Sequence, residues 1–115
     1  MYVILIKSDG TFSDVEIDGS LKSYQNLVNG YIETVRTKVS ELLLLIDEEG
    51  KLKHLPINRT ASQMMHDAYC DWFGNKDTVS GDAVLVRFNR AHDDWTGWDD
   101  RNEAILNYTI LNKAK

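Results

Sequence analysis

A chain of 115 residues, 43% hydrophobic and 27% charged, has the composition of one packed domain and is too short for two cores. Its formal net charge of −5, from 13 Lys and Arg against 18 Asp and Glu, argues against direct nucleic-acid binding, in which neutralised phosphates drive affinity. Cys70 is the only cysteine, so no disulfide can form within the chain. The longest apolar run (42–46) is too short to cross a bilayer, and the apolar start (1–7) is too short for a signal segment; the expected location is the cytoplasm.

In chain order, residues 2–7 form a β-branched and aromatic run that ends at Ser8-Asp9-Gly10. Phe12, Val15 and Ile17 follow as a second strand, so the pair reads as a hairpin. The parity slips between Phe12 and Val15, which suggests a bulge. Ser20 can cap a helix carrying Leu21, Tyr24, Leu27 and Val28, and Asn29-Gly30 ends it. Residues 31–36 alternate as a strand. Residues 42–46 are apolar on both faces and so belong inside a sheet. After the polar turn Asp47-Glu48-Glu49-Gly50, residues 51–55 read as an exposed strand, stopped by Pro56.

Thr60 can cap a second helix with Ala61, Met64, Met65, Ala68 and Trp72 in one apolar sector, running to Gly74. Residues 82–88 form another strand, and residues 89–100 a long polar loop. The tail (103–113) fits both periods; strand is the expectation. The order β-β-α-β-β-β-α-β contains too few crossovers for a parallel sheet. It predicts a single α+β domain (1–115): a mostly antiparallel β-sheet with two helices packed on one face. An exposed strand edge would also suit a homodimer.

No cofactor is expected, and no metal site. His66 and Cys70 share a helix face, but His54 and His92 stand apart from them. The aspartates after His92 match no calcium loop. No Gly-x-Ser-x-Gly elbow or Gly-rich phosphate loop is present, and Cys70 has no cationic neighbour in sequence to activate it. The expectation is a protein that is not an enzyme.

Two segments are candidates for binding. In the loop, Trp95 and Trp98 are framed by Asp93, Asp94, Asp99 and Asp100: aromatic anchors inside an acidic rim, suited to a partner with a basic surface. The competing reading folds both indoles back over a sheet face. Asn58 and Arg59 stand where a strand meets a helix N-terminus, a place that can hold an anion. There the competing reading has Asn58 satisfying loop backbone and Arg59 paired with an acid.

Ile17-Asp18-Gly19-Ser20-Leu21, Gln25, Leu27-Val28 and Gly30-Tyr31-Ile32-Glu33 resemble the opening of a small family of uncharacterised domains carried by bacteriophages, plasmids and their bacterial hosts. Glu49-Gly50-Lys51-Leu52, Leu55-Pro56, Asn58-Arg59, Ala61 and Gly81-Asp82-Ala83-Val84 continue the resemblance. It covers about residues 1–88 and leaves 89–115 as a divergent tail. It transfers no catalytic residues; it implies a setting in which small proteins bind and redirect host machinery. The expected function is therefore a non-enzymatic binding protein of phage or mobile-element origin. Its expected target is a host protein, with inhibition of a defence system (anti-CRISPR or anti-restriction) as the specific form. The alternative is a small-molecule or nucleotide-sequestering protein using Asn58 and Arg59.

Overall fold

The structure is a computed structural model that describes residues 1–69 and 77–114. The β-branched opening forms β1 (Tyr2–Ile6), and the turn after it returns β2 (Phe12–Glu16) antiparallel beside it. Their register runs without interruption from Tyr2↔Glu16 to Ile6↔Phe12, so the suggested bulge is absent. The parity slip has another cause: Phe12 and Val15 point to opposite faces, and both faces are covered. Phe12 stacks on Tyr108 at 4.1 Å between ring centroids, while Val15 packs with the cluster on the other side.

After β2 come α1 (Leu21–Val28), β3 (Ile32–Arg36) and β4 (Leu42–Asp47). Ser20 caps α1 by accepting from the Ser23 N–H at 3.1 Å, and Asn29 closes it in the left-handed conformation. Two short strands, β5 (Ile57–Asn58) and β6 (Val79–Ser80), pair separately. Between them lie α2 (Arg59–Met64) and a 3₁₀ turn at Asp67–Tyr69. The chain ends with β7 (Ala83–Asn89), β8 (Asp94–Thr96) and α3 (Arg101–Lys113).

The main sheet is antiparallel in the order β2-β1-β7-β4-β3, with β8 paired to the far half of β7. As the apolar run at 42–46 implies, β4 lies inside it. Alternation divides the core in two. Ile4, Ile6, Leu44, Ala83 and Leu85 face α2 and α3, while Val3, Leu45, Val84 and Val86 face Tyr24 and Val28 of α1. The α+β class and the antiparallel sheet are as expected. The helices number three among the described residues and cover both faces, not one.

Three local expectations are corrected. Residues 51–55 form turns, not a strand: the N–H groups of Lys53, His54 and Leu55 bond back to Glu49, Lys51 and Gly50, and His54 has φ 56°. The second helix stops at Met64 because Met65 leaves it to bridge Thr37 beside β3. Cys70 and Trp72 lie outside the described residues. The tail is α3, with Ala104, Tyr108 and Leu111 buried at helical spacing under an Asp100 cap.

Candidate functional site

Asn58 is completely buried, and its side chain is fully engaged by the fold. It donates to the carbonyls of Ile6 (2.9 Å) and Gly81 (3.0 Å) and accepts from the Ala61 N–H (3.0 Å). A side chain committed to three backbone groups has nothing left for an anion. Arg59 is exposed, and no ion pair holds it among the described residues. The helix it opens has six residues. This corner is a structural tie, and the anion-binding assignment of Asn58 is corrected accordingly.

The Trp/Asp segment is a hairpin followed by an inserted link. Asp93, at φ 50°, turns the chain between β7 and β8. Trp95 sits opposite Phe88, half-buried, with its indole edge-on to Tyr24 at 5.6 Å and 85°. Trp98 is 5% exposed and belongs to the core beneath α3. It exchanges backbone hydrogen bonds with Tyr2 at 2.7 and 2.9 Å, which continues the sheet past the start of β1. Both indoles therefore fold back onto sheet faces, one on each side. Trp98 is corrected from partner anchor to core residue: its indole is a large apolar surface that the sheet and α3 remove from water.

The four aspartates remain outside. Asp93, Asp94, Asp99 and Asp100 are all exposed. Asp100 has a structural task as well, accepting from the Asn102 N–H at 2.8 Å. Acids from another element join them. Tyr2 lies opposite Glu16 on one side and Trp98 on the other, which brings the end of β2 beside Asp99 and Asp100. Asp94 and Asp18 lie close enough to Tyr24 to affect its ionisation. Burial is the main reason its hydroxyl is pushed above the ordinary range, and the two carboxylates add to it. Glu16, Asp18, Asp94, Asp99 and Asp100 thus gather at one end of the sheet. Sequence reasoning missed Glu16 and Asp18, because only the sheet order brings β2 next to the later segment.

The Met1 ammonium, which donates to the Ile17 carbonyl at 3.1 Å, lies at this end. Arg101 is a second cation set against it. It pairs with Asp14 at 2.8 Å and lies over the Tyr2 ring at 5.2 Å. Arg87 is occupied, donating through Nε to the Gly97 carbonyl at 2.7 Å.

A cleft of about 250 Å³ opens elsewhere, lined by Glu33, Glu48, Lys51, Tyr69 and Asp77 among others. Lys51 and Asp77 pair with each other there, and that hydrogen bond holds the Asp77 carboxyl below its usual range. Among the described residues no three His, Cys, Asp or Glu side chains are grouped to hold a metal ion. His66 lies beyond the end of α2, with Nδ1 accepting from the Ala68 N–H. Among the described residues no helix is long and apolar enough to cross a membrane.

A family model described as a domain of unknown function, DUF3846, matches residues 1–109. The chain belongs to the DUF3846 family. The match runs past residue 88 through the β7–β8 hairpin, Trp98 and most of α3. In this DUF3846 chain the Trp/Asp segment is therefore part of the matched domain. Neither the curated proteins nor the solved structures compared with the chain contain a match.

Proposed function

We propose that this DUF3846 chain is a non-enzymatic binding protein whose acidic end captures a host protein with a basic surface. The carrying observation is the convergence of Glu16, Asp18, Asp94, Asp99 and Asp100, from the end of β2 and the residues just after it and from the segment around β8, on one end of the sheet. By contrast, the described buried polar side chains, Thr37, Asp47, Asn58, Ser62 and Ser80, lie within the scaffold, and none of their buried polar atoms lacks a partner. Polar chemistry inside the fold holds its shape, and charge outside it is positioned to steer a partner. The finer setting rests on the family resemblance: phage or mobile-element origin, action in the bacterial cytoplasm, and a host defence component as target.

The test neutralises charge without touching the core. Asp93→Asn, Asp94→Asn and Asp99→Asn together should abolish capture of a basic protein from a bacterial lysate and leave the melting temperature nearly unchanged. The wild-type complex should weaken steeply with added salt. Undiminished, salt-insensitive capture by the triple variant would overturn the reading. So would turnover in a broad screen of phosphoesters and nucleotides. A bound anion in native mass spectrometry, lost on Arg59→Ala, would favour small-molecule sequestration instead.

A further inference from the structure

The outer edge of β2 carries unpaired backbone groups. Met1 and Ile17 exchange hydrogen bonds, and the Lys7 N–H bonds to the Thr11 carbonyl, so the odd-numbered residues of β2 face β1. In an antiparallel ladder the intervening residues point the other way. Phe12, Asp14 and Glu16 therefore direct their N–H and C=O groups away from the sheet, where β2 is the terminal strand and no described residue pairs with them. Their side chains share the α3 face, shown by the Phe12–Tyr108 stack and the Asp14–Arg101 pair.

We infer that this edge receives an extended segment of a basic partner protein, added antiparallel to β2 as a further strand. Strand addition takes its affinity from main-chain hydrogen bonds and its selectivity from alternate side chains. Here those side chains are Phe12, 43% exposed, followed by two carboxylates. In antiparallel pairing the residues directly opposite share a face, so the partner's alternate residues meet Asp14 and Glu16. Asp14 already pairs with Arg101, and Glu16, with no ion pair among the described residues, is the carboxylate that favours Lys or Arg opposite it. A second copy is the competing occupant: a two-fold at Asp14 would set that carboxylate opposite its own counterpart, and one at Ser13 would set Phe12 opposite Asp14. Asp18, Asp99 and Asp100 at the strand's end extend the same charge preference. The inference rests on the acidic-end reading and adds the mode of capture.

The probe is a short peptide of alternating Lys and Thr, titrated into isotope-labelled protein at low salt. It should shift the amide resonances of Phe12, Asp14 and Glu16, while a Glu-Thr peptide should not. Asp14→Pro removes an outward donor that β1 does not use, and Asp14→Ala removes the same charge while keeping the donor. The proline variant should bind the peptide at least roughly tenfold more weakly than the alanine variant. A peptide methylated on its Lys backbone nitrogens should lose binding to the unaltered protein, which tests the edge without any variant. Equal binding by the two variants and by the methylated peptide would overturn strand addition, as would a concentration-dependent dimer through β2. Shifts confined to residues 93–100 would sink this inference and leave the acidic-end reading standing. No binding of any Lys peptide at low salt would count against both.

Discussion

The side-chain amide of Asn58 donates to the carbonyl of Ile6 at 2.9 Å, joining the start of α2 to the end of β1 across 52 positions of sequence. With its bonds to Gly81 and Ala61, this one residue fastens β1, the turn before β7 and α2 at a single point. Asn58→Ala takes a hydrogen-bond partner from the Ile6 and Gly81 carbonyls and from the Ala61 N–H, all at a buried site, which should cost roughly 2–4 kcal/mol. Arg59→Ala, at an exposed position, should stay within about 0.5 kcal/mol. Denaturant titration of the two variants separates a structural tie from an anion site, which would make Arg59 the more consequential residue for ligand-dependent stability.

The two indoles differ in the same way. Trp98→Ala removes a core side chain beneath α3 and should cost about 3–5 kcal/mol, enough to unfold a marginal domain. Trp95→Ala removes a half-buried ring and its edge contact with Tyr24, and should cost only about 1–2 kcal/mol. Thermal melts of both variants check the ordering. A Trp98 variant as stable as the parent would return that residue to the surface.

Much of the fold could be read from local pattern, and its failures share one cause. The caps at Ser20 and Asn29 and the uniformly apolar β4 are signals that neighbours in sequence supply. In α3 the alternation of Leu106, Tyr108 and Ile110 suggested a strand, yet Leu106 and Ile110 are 56% and 50% exposed. Residues facing water mimicked a period, and the residues that set the true one are Ala104, Tyr108 and Leu111. Leu52 misled in the same way: an apolar residue among turns, 79% exposed. The candidate site was half legible. The aspartates were found from composition, but Trp98 as core and Glu16 and Asp18 as neighbours depend on Tyr2 being paired on both sides, a relationship no local window contains.

Gly97 makes that double pairing sterically feasible. A Cβ there would press into the Tyr2 carbonyl, well inside van der Waals contact, and meet Val3 Cγ1 at 3.0 Å. Neither neighbour can yield, because Tyr2 is fixed in the sheet by Trp98. Gly97→Ala should therefore destabilise by about 1–3 kcal/mol through overpacking alone. Gly10→Ala provides the contrast: nothing lies near its Cβ position, and its cost comes only from φ 94°. Amide exchange should show Tyr2 deprotected in the Gly97 variant and unaffected in the Gly10 variant.

The pH profile should fall at both ends. Asp77 is held below the usual carboxylate range chiefly by the Lys51 hydrogen bond, and Asp9 and Asp18 by bonds from Thr11 and Ser20. A depressed folded value means that the contribution is present above the unfolded value, near about 4, and is lost as pH drops through the lower folded value. The Lys51–Asp77 pair is half exposed, so its share is about 0.5 kcal/mol or less. At the alkaline end the sign reverses. Burial raises Tyr24 and Tyr108, so their contribution is intact below about pH 10 and disappears as pH rises through the folded values. Tyr24→Phe removes that liability, and gives up only a weak contact of the hydroxyl with the Met1 sulfur at 3.7 Å. Melting temperature followed against pH should show the alkaline decline moved to higher pH in Tyr24→Phe, with the acid limb unchanged. An unshifted alkaline limb would mean that Tyr24 ionises without opening the α1 face, contrary to its burial against Trp95.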